Sequence, residues 1–298
     1  MSFQALLLAG GQSSRMGARK ELLRFTDTSP PLYLHLARVL KAAFPALEVV
    51  YISLRDPSAV SDILEASANS MQHVQLEGLV KGSGTGSGCS KDEEAIAFRA
   101  SGDDGVEVRI RFLYDEDMAK TMATSTSNLQ RNSVDQESKP KSKSNNIGPA
   151  AGLLAAHSAK PTATWLVVAC DYPLLSTSAL HYLQEQHYTI ATTDSGTNAS
   201  SCEPPLLTCY RNTQGYCEPL LGMWTPEALS ILARNVEQGR TGPRFVIEEL
   251  GSGGKGQVRL VVPRDERWLF NANTVGEWRE AVGLFMEGKG EERKEFVN

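Results

Sequence analysis

The sequence predicts an α/β fold: a mostly parallel sheet with helices on both faces, arranged as a three-layer sandwich. Three observations predict it. Strand and helix patterns alternate from the first residues, the order that favours parallel strands joined by helical crossovers. The run ATWLVVAC at 163–170 is apolar without alternation, as a central strand buried on both faces requires. The apolar run at 4–8 ends abruptly in AGGQSSRMGARK, a glycine-rich turn at the strand end where open α/β sheets bind ligands.

Along the chain, residues 4–8 read as a first buried strand. Pro30-Pro31 then opens a helix whose apolar positions, Leu32, Leu36, Val39, Leu40 and Ala43, share one face. Residues 47–54 (LEVVYISL) form a second strand and 59–68 a second helix. From about 78 to 105 the pattern breaks around KGSGTGSG, which reads as a flexible insertion. VEVRIRFLYD at 106–115 alternates strictly, as a strand with one wetter face does. Residues 116–146, rich in Ser, Thr, Asn, Lys and Gln, read as a second insertion, flexible or disordered.

A helix starts at about Pro149 in GPAAGLLAAHSA, and the strand 163–170 follows, closed by Asp171. A helix over 176–187, a strand over 188–193 and a polar excursion over 194–216 come next. CEPLLGMW at 217–224 is strand-like, and Thr225-Pro226 starts a helix running to about Gln238. QVRLVV at 257–262 gives a last strand. Thr274 and Glu277 form a capping box for a C-terminal helix that carries Trp278, Val282 and Phe285. With no internal repeat and no linker between two cores, residues 1–298 are expected to form a single domain bearing the two insertions.

Composition narrows the function classes. The chain has 298 residues, 41% of them hydrophobic, and no apolar run long enough to span a membrane. No signal peptide is visible at the start, so a cytoplasmic protein without a membrane partner is expected. A net charge of −5 supplies no basic surface for a phosphate backbone, which argues against a nucleic-acid partner. The basic cluster KPKSK at 139–143 reads as a solvated linker. Five cysteines without a C-x-x-C pair read as free thiols in a reducing compartment. None of the five histidines has a Ser or Cys nucleophile context, so nothing supports a hydrolase triad.

The glycine turn carries the strongest chemical signal. Without Cβ atoms, backbone N–H groups can approach a phosphate as an anion-binding nest, and Arg15 and Lys20 add full positive charge. The glycines at 10, 11 and 17 fit neither the Walker spacing nor G-x-G-x-x-G. Taken alone, the same residues also suit a plain turn with surface cations. Asp171 stands at the end of the apolar strand, where burying a carboxylate is costly unless a cation accompanies it; beside a triphosphate that cation is Mg²⁺. Bracing of the turn before Pro173 is the competing role. Asp115 ends its strand in the same way, although Glu116 and Asp117 beside it suit a solvated loop equally well. Asn271 and Asn273 offer amides to a metal or a phosphate, and turn chemistry also explains them.

Taken together, LLLAGGQSSRMGARKELL, NIGPAAGLLAA, VVACDYPLL, EPLLGMWTPEAL and LFNANTVGEW resemble, in order and in kind, the MobA-like nucleotidyltransferases, whose namesake is the molybdenum cofactor guanylyltransferase. The family's first motif, roughly L-A-G-G-x-S-x-R-M-G-x-x-K, is matched at every fixed position from Leu8 to Lys20. The resemblance implies a Rossmann-like fold of the nucleotide-diphospho-sugar-transferase kind. It implies that Leu8, Ala9 and Gly10 contact the base and ribose, and that Gly11, Arg15 and Lys20 hold the phosphates. It further implies nucleotide binding by Asp115, magnesium binding by Asp171, and a place near metal and acceptor for Asn271 and Asn273.

The implied reaction is attack of an acceptor phosphate on the α-phosphorus of a nucleoside triphosphate, with Arg15, Lys20 and Asp171 as catalytic residues and pyrophosphate released. GTP as donor and a molybdopterin-type phosphate acceptor are the expected partners. Cytidylyl transfer to molybdopterin, nucleotidyl transfer to a sugar phosphate, and a catalytically weak nucleotide-binding module in cofactor assembly are the alternatives. Arg19, where guanylyltransferases of the family often carry Asp, and Leu54, where they carry a polar residue, depart from the guanine pattern.

Overall fold

A computed structural model describes residues 3–10, 16–55, 58–68, 74–77, 97–101, 107–114, 147–189, 204–253 and 257–295. Its centre is a nine-stranded sheet in the order β3-β4-β5-β2-β1-β6-β8-β7-β9. The strands are β1 Gln4–Leu8, β2 Val50–Leu54, β3 Val74–Glu77, β4 Ala97–Ser101, β5 Glu107–Tyr114, β6 Trp165–Ala169, β7 Leu207–Arg211, β8 Cys217–Trp224 and β9 Val258–Val261. Pairing is parallel for β5-β2-β1-β6 and for β7-β9, and antiparallel at β3-β4, β4-β5, β6-β8 and β8-β7. Seven strands therefore share one direction, and β4 and β8 run against them.

The four central strands explain the continuous apolar runs. Every residue of β2 and β6 is buried, because helices cover both faces. Helices α1 Leu32–Ala43, α2 Ser58–Ala68 and α4 Thr177–Tyr188 lie on one face, with α7 Val275–Glu295 beside them. Their core includes Leu36, Leu40, Ile63, Leu180 and Leu183 against Ala5, Leu7, Ile52 and Val168. The helices α3 Ala150–Ala159, α5 Pro226–Glu237 and α6 Arg244–Gly253 cover the other face, where Leu153, Leu229, Leu232 and Val246 meet Leu6, Tyr51, Trp165 and Val167.

Local sequence accounts for the helix ends. Thr225 Oγ1 accepts the Ala228 N–H, with Pro226 next to it in the first turn, and Ser176 Oγ accepts that of Ala179. At α7 the capping box closes in both directions. Glu277 Oε2 accepts the Thr274 N–H at 2.8 Å and the Asn273 N–H at 2.7 Å, while Thr274 Oγ1 accepts the Glu277 N–H. Phe285 and Trp278 of α7 stack on Phe25, with centroids at 3.9 and 5.3 Å, so the C-terminal helix is tied to the segment that follows Lys20.

Four expectations need correction. Ala97–Ser101, inside the predicted insertion 78–105, is strand β4, pairing antiparallel with β5 and with β3, which also had no recognised pattern. The strand expected at 188–193 does not begin at Tyr188; that residue is the last of α4, whose helical hydrogen bonds continue to Thr189, and 190–193 lie outside the described residues. Leu207–Arg211, inside the predicted excursion 194–216, is β7, whose burial between β8 and β9 outweighs its polar flanks. Helix α6 went unrecognised because a short apolar face, Val246, Ile247 and Leu250, is framed by Gly242-Pro243 and a glycine-rich end. The proposed insertion at 116–146 lies outside the described residues.

Gly152 sets how closely α3 approaches the sheet. A Cβ there would lie 2.4 Å from Ser53 Oγ and 2.7 Å from Leu8 Cδ2, so only hydrogen fits between α3 and the ends of β1 and β2. Gly152→Ala is expected to lower stability by about 1–3 kcal/mol, the usual cost of overpacking, seen as a lower denaturant midpoint with an unchanged slope.

Candidate active site

The carboxyl edge of the central strands gathers the residues that the motifs singled out. The edge is stepped: Cys170 N–H donates to Leu8 O at 3.0 Å and Ala9 N–H to Ser53 O at 2.9 Å, so β1 is held on both sides as it runs into Gly10. Leu8 is half-buried, Ala9 buried and Gly10 partly exposed at the mouth of the turn. Gly11, Arg15 and Asp115 lie outside the described residues. Beyond the turn, Gly17 adopts φ +66°, and Lys20 begins a short 3-10 turn, Lys20–Leu22.

Lys20 and Asp171, 151 positions apart in sequence, stand at the same end of the sheet, linked through two amides. Lys20 Nζ donates to Asn273 Oδ1, Asn273 Nδ2 donates to Asn271 Oδ1, and Asn271 Nδ2 donates to Asp171 Oδ2 at 3.0 Å. The backbone repeats the link, since Ala272 N–H donates to Asp171 O at 2.9 Å. The N-A-N segment is thus pinned from both sides, by Asp171 and by the capping box at Thr274 and Glu277.

Two further acids support this edge, and neither was singled out in the sequence. Glu218, at the start of β8, accepts the Tyr172 hydroxyl on Oε2 at 2.7 Å, and Asn271 also stands beside that hydroxyl. Its signal was a carboxylate placed directly before proline in an otherwise apolar strand. Glu21 is buried and takes the Arg19 guanidinium on one oxygen, at 2.8 and 2.6 Å, while Arg19 also reaches Asp62 of α2 at 2.8 Å. Arg19 therefore staples the end of the glycine turn to α2.

Burial pushes the Asp171 carboxyl above the usual aspartate range, against the opposing pull of the Asn271 N–H and the Lys20 charge. Burial likewise raises Glu218, with Asp171 nearby adding repulsion, and drives the Cys170 thiol well up, which leaves that thiol inert. Asp171 Oδ1 is buried with no hydrogen-bond partner among the described residues. An orphaned carboxylate oxygen at the mouth of a cationic turn fits a hard divalent ion. Among the described residues no cluster of three His, Cys, Asp or Glu side chains is placed to hold a metal.

A mostly parallel α/β sheet that brings a glycine turn, a lysine and an aspartate to its carboxyl edge is an architecture suited to nucleotide handling. The chain belongs to the MobA-like NTP transferase domain family, whose model matches residues 5–98 and 116–254. The family is one of nucleotidyltransferases. A molybdenum cofactor biosynthesis bifunctional protein from Synechocystis sp. is 29% identical over 89 residues, a stretch covering 30% of this chain and 22% of that protein. The crystal structure of molybdopterin-guanine dinucleotide biosynthesis protein A from Archaeoglobus fulgidus has a TM-score of 0.52 at 14% identity, over 95% of this chain and 99% of that one. That likeness is one of fold. Among the described residues no helix is long and apolar enough to cross a membrane.

A carboxyl whose folded-state value lies above its unfolded value holds its proton more tightly in the folded chain. Folding stability then falls as pH rises from the ordinary aspartate range through the raised value, and levels off beyond it. Asp171→Asn is therefore expected to melt at a higher temperature than the parent at pH 7 without ligand, and the difference should shrink as pH is lowered towards 4. Thermal denaturation of both proteins across that range measures it.

Proposed function

We propose that the chain transfers GMP from GTP to molybdopterin or its molybdenum-loaded form, with Mg²⁺ bound at Asp171 and pyrophosphate as the second product. The observation that carries this reading is the Lys20–Asn273–Asn271–Asp171 chain of hydrogen bonds, which ends on Asp171 Oδ2 and leaves Oδ1 of the same carboxylate without a partner among the described residues. A lysine and an acid joined by this chain at one end of the sheet suit a triphosphate. In this reading Leu8, Ala9 and Gly10 line the base and ribose, Gly11, Arg15 and Lys20 hold the phosphates, and Asp115 adds a nucleotide contact. Family membership supports a nucleoside triphosphate as substrate; the guanine base and the acceptor are inferences from the motif order.

The chemistry requires no protein nucleophile. An acceptor phosphate oxygen attacks the α-phosphorus in line, a P–O bond forms, and the bond to the bridging oxygen breaks as pyrophosphate departs. Lys20 would lie along the leaving phosphates and neutralise charge that grows as the bridge opens. Asn271 orients Asp171 through its N–H, and Asn273 holds Lys20 in a fixed position, so both cost little reorganisation when the reaction occurs. Mg²⁺, when bound, supplies charge neutralisation at the phosphate oxygens.

Pyrophosphate release from GTP, CTP, ATP and UTP, each with Mg²⁺ and molybdopterin, tests the proposal. Turnover highest with GTP is the expected result. Highest turnover with CTP would make the chain a cytidylyltransferase, and nucleotide binding without pyrophosphate would make it a binding module. Lys20→Ala and Asp171→Asn are each expected to lower turnover roughly a hundredfold or more. Lys20→Ala should leave the denaturation midpoint close to that of the parent, because the lysine is only partly buried. GTP at a hundred times its dissociation constant should stabilise the parent by about 2.7 kcal/mol.

A further inference from the structure

The end of β8 nearest the site carries two groups that the nucleotide leaves unused. Glu218 is held beside Asp171 by its bond from the hydroxyl of Tyr172, the next residue along the chain. Oε2 of Glu218 is committed to the Tyr172 hydroxyl, and Oε1 is the remaining acceptor of a half-buried carboxylate. Beside it, the loop joining β7 to β8 rises past the same edge. Asn212 N–H donates to Tyr216 O, Gly215 N–H to Asn212 O and Tyr216 N–H to Asn212 Oδ1, each at 2.9 Å. Gly215 takes φ +88°, the left-handed residue that closes a three-residue hairpin loop.

That pairing extends the ladder from Tyr210↔Glu218 and Arg211↔Cys217 to Asn212 and Tyr216. Alternation then puts Tyr216 on the same face as Glu218, about 7 Å further out along the strand. Tyr216 is 67% exposed, the most exposed large apolar side chain among the described residues. An aromatic ring held in water by a well-bonded hairpin, next to a carboxylate and above the reaction edge, is a ready stacking surface.

We propose that Tyr216 and Glu218 form the acceptor-side subsite: the ring stacks on a planar heterocycle, and the carboxylate accepts the N–H donors of its amino-amide edge, the edge that a pterin presents. This rests on reading the site as one that transfers a nucleotide to a phosphorylated acceptor. Charge sets the orientation. Glu218 repels the acceptor's phosphate, so the ring lies over the hairpin and the phosphate points towards Lys20 and the metal side of Asp171.

The test uses the full chain and 6-hydroxymethylpterin, whose fluorescence reports stacking, with the 2-oxo analogue that lacks the amino group as comparison. The parent is expected to bind the pterin and to prefer it over the 2-oxo ring. Tyr216→Ala should weaken pterin binding roughly tenfold. Glu218→Gln should weaken it by a similar factor and erase the preference between the two rings. Both variants should keep the thermal shift produced by GTP and Mg²⁺, which also shows that they fold. No pterin binding by the parent, or unchanged binding in both variants, overturns the subsite. Pterin binding without pyrophosphate release in the transfer assay instead overturns the nucleotidyl-transfer reading and leaves the subsite standing. If Glu218→Gln does not fold, Tyr216→Ala, altered at an exposed position, decides the matter.

Discussion

Asp171 is a half-buried carboxylate at the end of a strand whose every residue is buried, with Oδ2 tied to Asn271 and Oδ1 without a hydrogen-bond partner among the described residues. Such a group is unfavourable in the folded chain by itself, since desolvation outweighs the help it receives from Asn271 and Lys20. The surrounding architecture is arranged around that constraint. Strand β6 is buried over all its residues and fixes where the acid emerges, while the N-A-N segment and its capping box fix which way it faces. Proteins place charge in this way where a ligand will complete it, at some expense in stability.

The site is assembled from four distant pieces of chain. The glycine turn leaves β1, Asp171 leaves β6, Glu218 opens β8, and Asn271 and Asn273 precede α7. Parallel order brings the first two together at one edge, and the antiparallel β8 returns the third to it. Stacking of Phe285 and Trp278 on Phe25 draws the fourth against the segment that follows Lys20. Hydrogen bonds hold Lys20, Asn271, Asn273 and Asp171 in place, as a transferase needs if its charges are to be set before the phosphates arrive.

The stapling of Arg19 bears on the departures from the guanine pattern. Its guanidinium is occupied by Glu21 and Asp62, so it braces the turn against α2 and is not directed at a ligand. A cation in this position therefore carries less weight against guanine than its sequence position implied. Leu54, the second departure, is fully buried at the end of β2.

Much of the fold was legible because burial writes itself into periodicity. The unbroken runs in β1, β2 and β6, the alternation in β5 and the one-sided apolar spacing of α1 each correspond to a distinct exposure of the element. The elements β3, β4, β7 and α6 were not read because polar or glycine-rich neighbours hid them. The sequence by itself determined the chemical types at the edge: the side-chain-poor turn, Lys20, Asp171 and the two amides. Tertiary structure alone decided that Lys20 and Asp171 share one hydrogen-bonded chain, and that Glu218 joins them from a strand running the other way. Contacts between residues far apart in sequence depend on strand order and register, and neither leaves a local pattern for a linear reading to find.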